Sequence, residues 1–162
     1  MSLREILMTL PNRPGTLARV ARILAKERIN VAGLSVDSTA GRGRVRLIVN
    51  DPDRAMSLLT AAGHEVEVRE MLAVRLEDRS GSFLRVLDAL ERGRVNIQSV
   101  AILVAREGNQ PLVALSANDQ AKARKILQRS GFASTGAERI VSNEELLAAA
   151  PVIPTNSVAL HL

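Results

Sequence analysis

The sequence predicts an α+β fold made of two tandem ferredoxin-like βαββαβ units, with their antiparallel sheets paired side by side. Two observations predict it. Apolar residues alternate or stripe in the order strand, helix, strand, strand, helix, strand. The pattern then recurs: Gly15 with Gly81, Val20 with Val86 and Asn30 with Asn96 keep one spacing. After a two-residue insertion near Glu107-Gly108, Asp51 with Asp119, Leu59 with Leu127 and Gly63 with Gly131 keep a second one. Such self-similarity marks a duplicated architecture. The expected units are residues 1–70 and 71–141, followed by a C-terminal helix and tail over 142–162.

In the first unit, Arg4 to Leu10 reads as a strand with Ile6, Met8 and Leu10 on one face. Pro11 to Gly15 is a tight loop. Thr16 to Glu27 reads as a helix, because Leu17, Val20, Ala21 and Leu24 form one stripe. Val31 to Asp37 and Arg44 to Asn50 are strands around the turn Gly41-Arg42-Gly43. Asp53 to Ala62 is a helix stopped by Gly63, and Glu65 to Glu70 is an alternating strand.

The second unit repeats the order. Leu72 to Glu77 is its first strand, and Phe83, Val86, Leu87 and Leu90 stripe its first helix. Ile97 to Ala105 and Gln110 to Ala117 are the middle strands. Ala123, Ile126 and Leu127 stripe the last long helix, and Ile140-Val141 is the remnant of a final strand. Val100 to Ala105 is apolar on both sides of the pleat, which predicts cover on both faces. Ser142-Asn143-Glu144-Glu145 is a capping-box pattern that opens a short helix in the tail.

Composition bounds the chemistry. Of 162 residues, 46% are apolar, which suits a packed chain rather than a disordered one. Two units of this size are each marginal alone, so they are expected to pack together. The absence of cysteine excludes disulfides, thiol catalysis and cysteine–metal sites. The formal charge is +5, but the basic residues are interspersed with 17 carboxylates, as on an ordinary solvated surface. No secretory signal pattern and no run long enough to span a bilayer is evident, so the expectation is a cytoplasmic protein without membrane contact. Phe83 and Phe132 are the only aromatic residues, too few for base stacking, so no nucleic-acid partner is expected despite Arg42, Arg44 and Arg46. His64 aligns with Phe132, which favours a packed position over a catalytic base, and His161 stands in the tail without evident partners. No catalytic set, cofactor motif or metal-ligand cluster emerges; the chain is expected to be no enzyme, with no cofactor.

The candidate site is the strand-to-helix loop, present twice. Gly15 and Gly81 precede helices, where glycine lets a ligand approach the backbone. First-turn amides favour a carboxylate. Asn12 or Asp78 at the loop entrance can accept from an ammonium. Together these suit a free amino acid; the plain alternative is that Pro14-Gly15 only makes a tight turn. Asn30 and Asn96 follow the first helix of each unit, at the opposite end of the sheet from that loop. Antiparallel edge pairing of two units into a sheet of about eight strands would set Asn12 and Gly15 beside Asn96, and Asp78 and Gly81 beside Asn30. A ligand there would touch both units and tighten their contact.

N-R-P-G-T-L after a strand, then R-I-N-V after a helix, resembles the ACT domain of amino-acid-responsive proteins, and D-R-S-G-S-F with R-V-N-I is similar. The resemblance spans residues 3 to about 141. It implies an amino-acid-binding allosteric regulator with ligand at domain interfaces, acting on a separate enzyme or regulator. It also implies assembly as a homodimer or higher homo-oligomer; the alternative is an assembly module of the same fold that binds no ligand. By position, the ligand-binding residues implied are Asn12, Arg13, Pro14, Gly15 and Thr16 with Asn30 and Val31. In the second copy they are Asp78, Ser80, Gly81 and Ser82 with Asn96 and Ile97. Leu10 and Leu76 stand where serine-sensing members carry a histidine, and Asp78 stands where they carry asparagine, so the two sites are not identical. A buried carboxylate at Asp78 would favour an ammonium.

Overall fold

The computed structural model describes residues 3–39, 41–107, 110–132 and 134–135. The expected strand at Ile140-Val141 and the expected tail helix over 142–162 lie outside the described residues. The first elements are β1 (Leu3–Pro11), α1 (Thr16–Lys26), β2 (Val31–Thr39), β3 (Arg42–Val49) and α2 (Pro52–Ala61). They are followed by β4 (Val66–Arg75), α3 (Ser82–Arg92), β5 (Ile97–Glu107), β6 (Gln110–Ala117), α4 (Gln120–Arg129) and β7 (Ser134–Thr135).

Each helix follows from its ends and its stripe. Asp51 and Asp119 cap α2 and α4, their carboxylates accepting from the amides of Arg54 and Lys122 at 3.0 and 2.9 Å. The buried stripe of α1 is Thr16, Val20 and Leu24, and that of α3 is Ser82, Val86, Ala89 and Leu90. Leu17 and Ala21, expected on the α1 stripe, are exposed instead.

One difference from the sequence reading governs the architecture. The strands expected at Glu65–Glu70 and Leu72–Glu77 are a single strand, β4. No glycine or proline interrupts Val66 to Arg75, so nothing turns the chain there. The first half of β4 pairs with β1, from Leu3–Met71 to Met8–Val66. The second half pairs with β6, from Leu72–Leu115 to Arg75–Leu112, and with β7. The sheet path is β2-β3-β1-β4-β6-β5, entirely antiparallel. The two halves are therefore continuous through a common strand, not through paired outer edges. The outer strands β2 and β5 lie at opposite ends of the path and do not pair with each other.

The sheet folds over along β4. Val20, Leu24, Ala55 and Leu59 of α1 and α2 pack on Ile6, Met8, Val45 and Leu47. Val86, Leu90, Ala123 and Leu127 of α3 and α4 pack on Leu72, Val74, Val113 and Leu115. A third cluster forms between the two helix-free faces, where Leu3, Ile48 and Met71 meet Leu103, Leu112 and Ala114. Glu5 of β1 is buried at this junction, and the Ser99 hydroxyl of β5 donates to its carboxylate at 3.2 Å. Gly33 of β2 faces Leu103 so closely that an added Cβ would lie 3.3 Å from Leu103 Cδ2. The layers thus run helix, sheet, sheet, helix, which buries the apolar centre of each sheet on both faces.

β5 departs from its expected cover on both sides. Leu103 packs between the sheets, but Val100, Ile102 and Val104 are 39%, 76% and 75% exposed. They share the helix-side face with Leu115 and Val113 of β6 but stand at the outer edge of the sheet. Leu34 and Val36 of β2 are exposed in the corresponding place.

Candidate functional site

The two strand-to-helix turns have the same backbone. In the first, the Arg13 amide donates to Pro11, Thr16 to Arg13 and Arg19 to Gly15, at 2.9, 3.2 and 3.0 Å. In the second, Arg79 donates to Glu77, Ser82 to Arg79 and Arg85 to Gly81, at 2.8, 3.3 and 3.2 Å. Gly15 and Gly81 occupy the N-cap positions with φ of 82° and 84°, a left-handed conformation that β-carbon sterics disfavour. No side chain caps either helix, so its positive end faces outward. A Cβ at either glycine would meet nothing within 4 Å. The space beyond each turn is open.

Thr16 and Ser82 follow these glycines and are buried, and neither hydroxyl has a hydrogen-bond partner among the described residues. Unsatisfied buried hydroxyls are uncommon and costly, and here two occur at equivalent positions. Ser82 lines a cavity of about 190 Å³ with Arg75, Glu77, Arg85, Gln110 and Phe132. The Arg85 guanidinium lies 5.8 Å from the Phe132 ring centroid and 3.6 Å from Glu77. This second turn therefore sits beside a small cationic hollow. Asn12, Arg13 and Pro14 are exposed, as are Ser80 and Asp78. Asp78 is thus not the buried carboxylate considered from sequence, and the desolvation argument for an ammonium does not apply to it.

The post-helix asparagines are held within their own halves. The Asn30 amide donates to Asn50 Oδ1 at 2.9 Å, and the Asn50 amide returns to the Asn30 carbonyl at 3.1 Å. Asn96 and Asn118 repeat this exchange, both bonds at 3.0 Å. Asn50 and Asn118 were missed from sequence, although they too repeat along the chain. Arg28 and Arg94, just before these asparagines, have φ of 56° and 52°, an uncommon conformation for residues other than glycine. Val31 and Ile97 follow and pack partly into the two helix-side cores.

Sequence reasoning set each turn against the other half's asparagine. Within the single chain the two halves do not pair through their outer edges. No hydrogen bond among the described residues joins Asn12 or Gly15 to Asn96, and the hollow at Ser82 is not lined by Asn30. The physical reason is the fold-over along β4. The two sheets meet through their apolar faces, so β2 and β5 approach each other face to face, as at Gly33 and Leu103, rather than pairing along their edges.

No group of three or more His, Asp or Glu among the described residues is placed to hold a metal ion. None of the described helices is long and apolar enough to cross a membrane.

Comparison with known families matches residues 4–61 to the ACT domain. Comparison with curated proteins finds no match. Among solved structures, the chain is similar to protein BT0572 from Bacteroides thetaiotaomicron, at 25% identity with a TM-score of 0.79. That match covers 86% of this chain and 96% of the other. It is also similar to the regulatory subunit of aspartate kinase from Thermus thermophilus, solved ligand-free, at 18% identity and a TM-score of 0.58, covering 80% and 92% of the two chains. The corresponding subunit from Thermus flavus aligns at 18% identity and a TM-score of 0.56, covering 81% and 94%. At the identities of the two Thermus subunits the likeness is one of fold.

Proposed function

We propose that this chain, which carries an ACT domain over residues 4–61, is a tandem ACT-domain regulator that binds a small amino acid and reports its presence to a separate metabolic enzyme. It works in the cytoplasm without catalysing a reaction itself. The observation that carries this reading is the doubled turn. Two uncapped helix N-termini, each behind a left-handed glycine and each followed by a buried unpartnered hydroxyl, offer twin places for a ligand carboxylate. The fold shared with two aspartate kinase regulatory subunits supports it.

The ligand interface belongs to an assembly of copies. The exposed edges of β2 and β5 carry Leu34, Val36, Val100, Ile102 and Val104, which a second copy would cover. Edge pairing between copies would set turn against asparagine across the interface. A ligand held there would favour the assembled state by its differential affinity, which is the requirement for regulation.

Thermal unfolding of the full chain against each of the twenty amino acids tests this. At least one is expected to raise the melting temperature in a concentration-dependent way. Gly15→Asp and Gly81→Asp are each expected to remove binding at one turn, since a carboxylate would stand where the ligand's own carboxylate belongs. Full affinity in the double variant refutes the site. The exposed apolar edge of β5 also favours a second reading, a ligand-free assembly module. No response to any amino acid, together with retained oligomerisation, would select that reading.

A further inference from the structure

The helix-free face of the first sheet is divided in two. Its apolar part, with Leu3, Ile48 and Met71, lies under the second sheet. Toward the end of β1 it becomes charged. Leu7 pairs with Arg46 on one side and with Glu67 on the other, so the three form one row across β3, β1 and β4. Thr9 pairs with Arg44 in the next row, and Glu65 stands just before β4. The second sheet stops short of this part. Gln98 of β5 reaches over it, and the two surfaces enclose a cleft of about 420 Å³.

The charges in the cleft are sorted. Arg44 and Arg46 lie on β3 and Glu65 and Glu67 at β4, where Arg69 also lines the cleft, and the strand between keeps the two backbones roughly 10 Å apart. Half-buried Leu7 lies between them with the Thr9 hydroxyl beside it. Arg46 is fixed in place: its guanidinium donates to Asp37 at 2.5 Å and to Ser35 at 3.1 Å. Its Nε is buried and has no hydrogen-bond partner among the described residues. Arg69, farther along β4, is turned to the buried Glu5 at 3.8 Å. Among the described residues, Arg44, Glu65 and Glu67 form no ion pair with one another or with a third group. Arg46 is neutralised by Asp37, whereas Arg44 faces Glu65 and Glu67 across a small apolar floor without pairing with them.

We propose that this inter-sheet cleft is a ligand site separate from the turns, and that it takes a small zwitterion. The carboxylate goes to Arg44, beside the Asp37-held Arg46, and the ammonium goes between Glu65 and Glu67. A free amino acid has both charges at the right scale, and the volume admits one with its side chain. Arginine suits the carboxylate because its planar donors match two oxygens.

The test is a titration of isotopically labelled full-length protein with each of the twenty L-amino acids, following the backbone signals of Thr9, Arg44, Glu67 and Gln98. At least one amino acid is expected to shift these four together. Its N-acetyl and carboxamide derivatives, each lacking one charge, are expected to bind about tenfold more weakly or worse, as are Arg44→Gln and Glu67→Gln. These side chains are largely solvent-facing, so the variants are expected to melt like the parent. Gly15→Asp and Gly81→Asp are expected to leave cleft binding unchanged, so failure at the turns and failure at the cleft are read separately. The proposal is overturned if no amino acid moves the cleft signals. It is equally overturned if the derivatives bind as well as the parent ligand, or if both charge variants retain full affinity.

Discussion

Asn50 and Asn118 show how single side chains set the loops around the candidate site. Each accepts from the backbone amide of the post-helix asparagine in its own half, closing the junction between the first helix and the second strand. Asn50→Ala is expected to cost about 1 kcal/mol, because it leaves a part-buried amide unpaired. Asn118→Ala, in a more exposed setting, is expected to cost less; urea unfolding of the two variants gives the comparison. Asp53 offers a test by pH. Arg4 grips both its oxygens, at 2.7 and 2.6 Å, and so ties β1 to the start of α2. The hydrogen bond from Arg4 holds the Asp53 carboxyl below its ordinary range. A lowered folded-state pKa stabilises above the unfolded value, about 3.9, and that contribution fades as pH falls through the lower folded value. Asp53→Asn is therefore expected to shrink the loss of stability on acidification from about pH 5 to pH 2. An unchanged acid limb in the urea midpoint would contradict the pairing.

Among the elements, β4 carries the most consequence. It closes one sheet along β1 and opens the other along β6. Met71 to Val74 are all buried, and they alternate between a helix-side core and the inter-sheet core. A strand buried on both faces can sit only at the middle of a layered structure. The neighbouring layer depends on β5, whose Leu103 reaches into the same cluster. Leu103→Ala is expected to cost about 2–4 kcal/mol through the cavity it leaves between the sheets. Denaturant unfolding measures that cost, and one shared transition for both halves is the expected form. Loss below about 1 kcal/mol would mean that the sheet-on-sheet contact contributes little.

The whole molecule buries its helix-free faces against each other but leaves two edges uncovered. Ile102 and Val104 are three-quarters exposed, an arrangement that a chain working alone would tend to avoid. The chain is expected to form a dimer through one of these edges, as seen by light scattering. Ile102→Lys is expected to shift it toward monomer and, with it, to weaken any amino acid response at the turns. A dimer that persists in Ile102→Lys and in Val36→Lys would place the interface elsewhere.

By itself the sequence determined the local elements, because the signals for them are local. Alternation along β1, the α1–α4 stripes, and the left-handed glycines at both turns depend only on neighbours within a few residues. The repeat also disclosed that the second turn shares the backbone of the first, though Asp78 stands in place of Asn12. What the tertiary structure decided was how the two halves meet. Edge pairing and face packing both satisfy the same strand patterns, and the choice rests on long-range burial. Leu3, Ile48, Met71 and Leu103 lie far apart in the chain, and their mutual burial outweighs the pairing of two outer strands. The run read from sequence as covered on both faces, Val100 to Ala105, is covered only at Leu103, and the strand buried on both faces is Met71-Leu72-Ala73-Val74. What covers it could be known only once the sheet had folded over, and that fold-over is also what forms the cleft beneath Gln98.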